Sequence, residues 1–225
     1  MQTTAKPLPM IPGGWGEREI VIGSSRFRLT LPAKPDAFLD DAGVRAAHDR
    51  SGYMPYWPYL WPASFPMGEA ILRTDWPPGA AALEIGAGIG LVGLAALARG
   101  LRVTFSDYCD DAVNLAMHNA RQNGYENFEG IILDWREPLS TRFPVILGCD
   151  VVYETANHRP ILGLLDMMLA PGGTCWLGDG GRQHGGAFWR LARERGWNVG
   201  LRNARGEPLD EPIVGEFQLM TLARN

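Results

Sequence analysis

Cysteine is scarce and unpaired in this chain: Cys109, Cys149 and Cys175 are odd in number, far apart and without any C-x-x-C spacing. That excludes a zinc module and fits a reducing compartment. The four histidines (His48, His118, His158, His184) show no ligand spacing either, so no resident metal is expected. No run of lysines or arginines builds a concentrated basic face, and the net charge is −4 with an isoelectric point near 5.6. Nucleic acid is therefore not expected as a partner. Long apolar runs are missing apart from Ala80 to Arg99, which carries one glutamate and four glycines, so no membrane partner is expected. The first residues, MQTTAKPLPMIPGGWG, hold neither an apolar signal core nor an arginine-rich amphipathic pattern. A disordered or loosely draped lead and a cytoplasmic location are expected.

What is present centres on that same apolar stretch. Small and apolar residues end in Glu84-Ile85, glycines follow at Gly86, Gly88 and Gly90, and Leu91, Val92, Leu94, Ala95, Leu97 and Ala98 resume at helical spacing. This is strand, tight loop and helix, a backbone that approaches the nucleoside half of a cofactor without side chains in the way. Gly88 to Gly93 also fits G-x-G-x-x-G, with Asp107 about where a ribose-binding acid would fall, so the motif alone leaves a dinucleotide open.

The remaining pattern decides the order of elements. Glu19–Ile22 and Arg26–Leu31 alternate polar and apolar residues around Gly23-Ser24-Ser25, a hairpin signal for an accessory sheet. An acidic helical stretch follows over 35–50, with Phe38, Leu39 and Val44 at apolar positions. Residues 53–62 then hold five aromatics among three prolines (Tyr53, Tyr56, Trp57, Tyr59, Trp61), an extended loop whose rings either attract a cation or plug the loop onto the sheet. Ser64 is expected to cap a helix reaching about Arg73. Strands are expected at 101–105, 130–133, 143–148 and 174–177, and helices from Asp110 to Gly124, from Pro160 to Leu169, and from about Phe188 to Gly196. The glycine-rich 178–186 reads as mobile. Residues 197–201 and 213–222 read as two strands with no helix between them, an ending that a nicotinamide-type doubly wound sheet does not have.

Three strand ends carry acids. Asp107 is placed to accept both hydroxyls of a ribose, Asp134 beside Trp135 to bond an adenine amino group and flank its ring, and Cys149-Asp150-Val151-Val152-Tyr153-Glu154 closes the fourth strand.

Glu84 with Gly86, Gly88 and Gly90 resembles motif I of the class I S-adenosylmethionine-dependent methyltransferases. Taken with Trp61-Pro62, VTFSDY (103–108), LDW (133–135) and ILGCDVVYE (146–154), the chain resembles methyltransferase family 16 over about residues 53–178. Within that group of seven-strand protein lysine methyltransferases, PYWPYLWP is most similar to the branch of the electron-transfer-flavoprotein β-subunit enzyme. The resemblance implies an α/β fold: a Rossmann-like, seven-stranded, mostly parallel sheet with helices on both faces, a C-terminal antiparallel strand hairpin and a small N-terminal β-hairpin extension. It divides the chain into an extension, 1–52, and a methyltransferase domain, 53–225. It implies S-adenosyl-L-methionine as cofactor and S-adenosyl-L-homocysteine as product, with contacts from Trp61, Glu84, Gly86, Ala87, Gly88, Asp107, Tyr108, Asp134, Trp135 and Cys149. The D-x-x-Y signature carries over to Asp150 and Tyr153 as catalytic residues. Ile89 departs from the threonine or serine common in such loops, and Asp150–Tyr153 is not the [DNS]PP[YFW] motif of adenine or glutamine N-methyltransferases. A protein lysine acceptor and a monomer are implied. A small-molecule amine or pyridine acceptor, or a non-catalytic binding protein, are the competing expectations.

Overall fold

Alternation of apolar and polar side chains puts one face of a two-stranded hairpin inside. Strand β1 (Trp15–Ile22) pairs antiparallel with β2 (Ser25–Pro32), with Ile22 opposite Ser25, so the turn is Gly23-Ser24. Ile20, Ile22, Phe27, Leu29 and Leu31 are buried. This computed structural model describes residues 6–51 and 54–224; Tyr53, one of the rings counted above, lies outside them. The lead is draped from residue 6 onward: the Lys6 N–H donates to Asn114 Oδ1 at 3.1 Å, and Leu8 and Ile11 pack on the core.

The acidic stretch forms two helices instead of one, α1 (Pro35–Leu39) and α2 (Ala42–Ser51). The break is chemical: Asp41 Oδ1 accepts the N–H groups of Gly43 and Val44 at 2.8 and 3.1 Å, which caps a new helix start. Helix α3 (Ser64–Leu72) buries Met67 and Ile71 as its spacing requires. Ser64 does not cap it. That residue is already helical, and its hydroxyl donates back to the Trp61 carbonyl at 2.6 Å, tying the aromatic loop to the helix.

The main sheet runs β3 (Ala81–Ile85), β4 (Arg102–Asp107), β5 (Phe128–Ile132), β6 (Phe143–Cys149), β7 (Leu169–Asp179), β8 (Asn198–Asn203) and β9 (Gln218–Ala223), in spatial order β5-β4-β3-β6-β7-β9-β8. The pairings from β5 through β7 are parallel, and β9 inserts antiparallel between β7 and β8. Helices α4 (Leu91–Ala98), α5 (Asp110–Gln122), α6 (Thr155–Met168) and α7 (Gly185–Glu194) supply the connections.

Strand alternation feeds two cores. Ala82, Val103, Phe105, Val145 and Leu147 join α3–α5 and the hairpin, while Leu83, Ile85, Ile146 and Leu177 join α6 and α7. Chain order reverses between β3 and β6, so the crevice beyond their carboxyl ends is where a doubly wound sheet presents its ligand site.

Boundaries differ from the expectation at several places: β7 already begins at Leu169 and α7 at Gly185. Helix α6 starts at Thr155 and not at Pro160, because the proline sits in the second turn and forfeits only the bond to the Ala156 carbonyl. Strand β9 starts at Gln218, since Ile213 and Val214 stay exposed and Gly215 N–H donates to the Gly181 carbonyl at 2.9 Å. The stretch 178–186 is pinned. Buried Asp179 uses Oδ2 to accept Gly181 N–H, Arg182 N–H and Gln218 Nε2 at 3.0–3.1 Å, and Gly181 lies so close to the Glu216 backbone that a Cβ there would stand 2.4 Å from its nitrogen.

Candidate active site

The loop after β3 has the shape that its glycines permit. Gly86, Gly88 and Gly90 have φ of 63°, 52° and 85°, a region L side chains rarely adopt. Two buried acids hold this loop from behind. Glu84 Oε2 accepts the Gly93 N–H at 3.1 Å, and burial pushes its pKa up to about 8. Asp107, at the end of β4, accepts the Gly88 N–H on Oδ2 at 3.1 Å and the Cys109 N–H on Oδ1 at 3.0 Å. Burial raises its pKa, and those N–H bonds oppose the shift. The Tyr108 backbone also lies against this carboxylate, and with about four lone-pair sites a carboxylate with these partners keeps room for a further donor.

All twelve residues singled out from the sequence border one cavity of about 310 Å³, a size suited to a small organic ligand. Gly86, Ala87 and Gly88 form its floor, and Ala87 N–H is fixed to the Ser106 carbonyl at 2.9 Å. Trp135 forms a side wall: its Cζ2 would be 3.3 Å from a Cβ on Gly86. Asp134 lies beside it with its carboxylate held by Arg136, whose Nε and Nη2 reach it at 2.7–3.0 Å and whose hydrogen bonds, helped by its charge, keep its pKa low. That arginine also lies 5.8 Å from the ring centroid of half-exposed Tyr108. Cys149 is half-buried, and burial keeps its thiol far above the usual range, a protonated wall residue and not a nucleophile.

The aromatic loop divides into plug and rim. Trp57 is buried, with its ring 5.1 Å from Phe38 and 6.4 Å from Trp15. Tyr56, Tyr59 and Trp61 remain half-buried on the cavity, Trp61 lying 6.2 Å from Tyr56 and 5.4 Å from Tyr59. The Tyr59 hydroxyl donates to Asp36, which anchors the loop to α1 and pushes the tyrosine pKa up to about 12.

Asp150 has the most unusual environment. It is the one non-glycine residue with positive φ (50°) among the described residues, and it is buried at 6% exposure. Its Oδ1 accepts the Gly180 N–H at 3.1 Å and Arg182 Nε at 3.3 Å, while Oδ2 is buried with no partner. A buried carboxylate oxygen left unpaired costs free energy until a donor arrives. Tyr153 stands nearby, edge-on to Tyr56 at 6.0 Å, with its pKa raised to about 12 by burial.

Sequence reasoning missed Asp179 and Arg182. Asp179 shapes the 180–182 turn that delivers two donors to Asp150, and the Arg182 guanidinium also lies 4.9 Å from the Trp61 ring centroid. The signal was available, since Asp179 ends β7 as Asp107 ends β4.

Residues 69–184, more than half of the chain, match the family described as lysine methyltransferase. The chain belongs to that family. This lysine methyltransferase family member is 33% identical over 102 residues to a histidine protein methyltransferase 1 homolog from Dictyostelium discoideum, a stretch that covers 42% of this chain and 33% of that protein. It is 27% identical over 125 residues to the histone-arginine methyltransferase METTL23 of Rattus norvegicus, covering 52% and 56%. The chain thus spans from a third to just over half of the length of these relatives.

Among solved structures, the T. Thermophilus 16S rRNA N2 G1207 methyltransferase RsmC superposes with a TM-score of 0.63 at 16% identity, covering 99% of this chain and 53% of that one. A TehB-like SAM-dependent methyltransferase from Corynebacterium glutamicum gives 0.60 at 17%, covering 86% and 100%. At these identities the likeness establishes the fold, that of the class I S-adenosylmethionine-dependent methyltransferases. The family member's own residues fit an S-adenosyl compound. The floor carries nothing larger than the Ala87 methyl, Asp107 has acceptor capacity to spare, and Asp150, with its orphaned carboxylate oxygen, lines the same cavity.

Proposed function

We propose that this chain transfers a methyl group from S-adenosyl-L-methionine to a nitrogen of a protein side chain, with lysine as the first candidate. The observation that carries this reading is Asp150, a left-handed residue lining the cavity that the glycine loop floors, whose buried Oδ2 has no donor. Family membership supports it, and the two relatives named above carry names of enzymes acting on protein side chains.

In the cavity, Asp107 would accept the sugar hydroxyls and Trp135 and Tyr108 would flank the base, with Glu84 and Gly86–Gly88 lining the inner end. Bound there, S-adenosyl-L-methionine supplies an electrophilic methyl group on a sulfonium and departs as S-adenosyl-L-homocysteine. The protein's task is then to present a neutral amine. At neutral pH a free lysine ammonium costs roughly 4–5 kcal/mol to deprotonate, and a water-poor, aromatic mouth built from Tyr56, Tyr153 and Trp61 lowers that cost by disfavouring the charge. Asp150 Oδ2 accepts an N–H of the amine and fixes the direction of its lone pair, while Arg182 and Gly180 hold Oδ1 still. We place this activity in residues 53–225, with 1–52 as an extension, and assign the protein to the cytoplasm as a monomer.

Tritiated cofactor incubated with the purified protein and a lysate of its own host tests the reading. Label is expected on a discrete protein band, lost in Asp150→Ala, while calorimetric binding of S-adenosyl-L-homocysteine persists. Label confined to the low-molecular-weight fraction would move the assignment to a small-molecule acceptor. Unchanged label in the variant would remove Asp150 from the chemistry.

A further inference from the structure

The family match begins at residue 69, and the β1–β2 hairpin lies ahead of it with no assigned part in the site. Strand β2 pairs with β1 along one edge, which leaves backbone groups on the other edge to be satisfied. Two asparagines do this, Asn119 in α5 and Asn123 at its C-cap. Asn119 accepts the Thr30 N–H on Oδ1 at 2.8 Å and donates from Nδ2 to the Thr30 carbonyl at 3.0 Å. Asn123 repeats the clasp on Arg28, at 2.8 and 2.7 Å. The match is geometric: four residues of helix rise about 6 Å and two residues of strand rise about 6.6 Å.

The asparagines differ in their other amide proton. Asn123 gives its own back to the Asn119 carbonyl at 2.8 Å, closing the C-terminal end of α5. Asn119 donates to the Ile89 carbonyl at 2.9 Å, in the middle of the glycine loop. Ile89 and Gly93 stand in the relation that a continuing helix would join by a hydrogen bond. Left-handed Gly90 instead turns the chain, so the Gly93 N–H goes to Glu84 and the Ile89 carbonyl goes to Asn119. Both ends of the bond that the loop gives up are thus taken by buried side chains, and Asn119, fully buried, has every polar atom used.

We infer that Asn119 is a positioning residue for the cofactor loop, through which the N-terminal hairpin sets the loop's binding shape. This rests on the reading that the crevice takes an S-adenosyl compound. Asn119 touches no ligand itself. It fixes the Ile89 carbonyl, which keeps Gly86, Gly88 and Gly90 in their left-handed turns and the Gly88 N–H on Asp107.

Comparison of Asn119→Ala with Asn123→Ala tests this, using the full chain, thermal denaturation, and calorimetric titration with S-adenosyl-L-homocysteine. Both variants lose one clasp on β2, so both should melt earlier than the wild type. Only Asn119→Ala should weaken binding, by tenfold or more, while Asn123→Ala stays within twofold. Asn119→Asp is the second variant should the alanine fail to fold. It keeps the acceptor for the Thr30 N–H but when ionised can donate to neither the Thr30 nor the Ile89 carbonyl, so its affinity deficit relative to wild type should shrink between pH 8 and pH 5.5 as a protonated acid regains a donor. Equal affinities for the two alanine variants, or a pH-independent deficit in Asn119→Asp, overturn the inference. Wild-type protein that does not bind S-adenosyl-L-homocysteine at all would instead defeat the cofactor reading, and this inference with it.

Discussion

Asp150 concentrates three costs in one residue: a left-handed backbone, burial, and an oxygen without a partner. A non-glycine residue in that conformation costs on the order of 1–3 kcal/mol, and such costs persist where function requires them. Asparagine tolerates the left-handed region well, and its amide can keep the Oδ1 contacts with Gly180 and Arg182. It would replace the orphaned acceptor by a donor. Asp150→Asn is therefore expected to melt at the wild-type temperature or above it while methyl transfer falls at least about a hundredfold, the loss of one fully desolvated charge-assisted bond. Thermal denaturation and tritium transfer, run on the same preparation, would show the split. A parallel fall in both would mean that the carboxylate only supports the fold. Asp150 and Tyr153 could be picked out from the sequence because a strand end followed by D-x-x-Y is a local pattern. Arg182 could not, because its link to Asp150 spans 32 residues and depends on a turn built by Asp179.

At the scale of elements, the unit from β3 through α4 to β4 works by close approach. Helix α4 lies so near β4 that a Cβ on Gly93 would stand 2.3 Å from the Phe105 ring and 2.4 Å from Glu84 Oε2. Alanine favours a helix over glycine by about 1 kcal/mol, whereas overpacking a filled core costs about 1–3 kcal/mol. Because the obstructing groups are a buried ring and a bonded carboxylate, the second effect should prevail. Gly93→Ala is expected to lower the urea midpoint by the equivalent of about 1–2 kcal/mol at unchanged m-value. An unchanged midpoint would show that Phe105 moves aside freely.

This unit was legible in the sequence because its strand, turns and helix all lie within one local period. The pinned turn at 178–186 was not. Its glycines resemble those of a mobile loop, and what fixes them is contact with 215–218, remote in the chain. The start of α6 is hidden for the converse reason: Pro160 reads as a beginning where the helix merely tolerates it.

For the whole molecule, the antiparallel ending of the sheet was legible in the missing helix between the last two strands. The hairpin's integration did not, since Asn119 and Thr30 are 89 residues apart. The same burial that builds the site also sets a global pH response. Glu84 is buried, and its pKa is raised from 4.5 to about 8, with desolvation as the largest cause. Between those values the folded chain holds a proton that the unfolded chain releases, so the contribution is fully present below 4.5 and is lost as pH rises through 8. Its size is on the order of 5 kcal/mol at one pKa unit per 1.36 kcal/mol. Asp107 and Asp179 are shifted in the same direction by burial, which gives the response the same sign. Glutamine at position 84 would still accept the Gly93 N–H and would carry no proton to lose. The melting temperature of the wild type should therefore fall between pH 5.5 and pH 8.5 by about 5–10 °C more than that of Glu84→Gln, at roughly 2–4 °C per kcal/mol for a chain of this size. Melting curves of the two proteins that shift in parallel across this range would show that the glutamate is not the group that loses its proton there, and the buried floor of the crevice would have to be neutral for another reason.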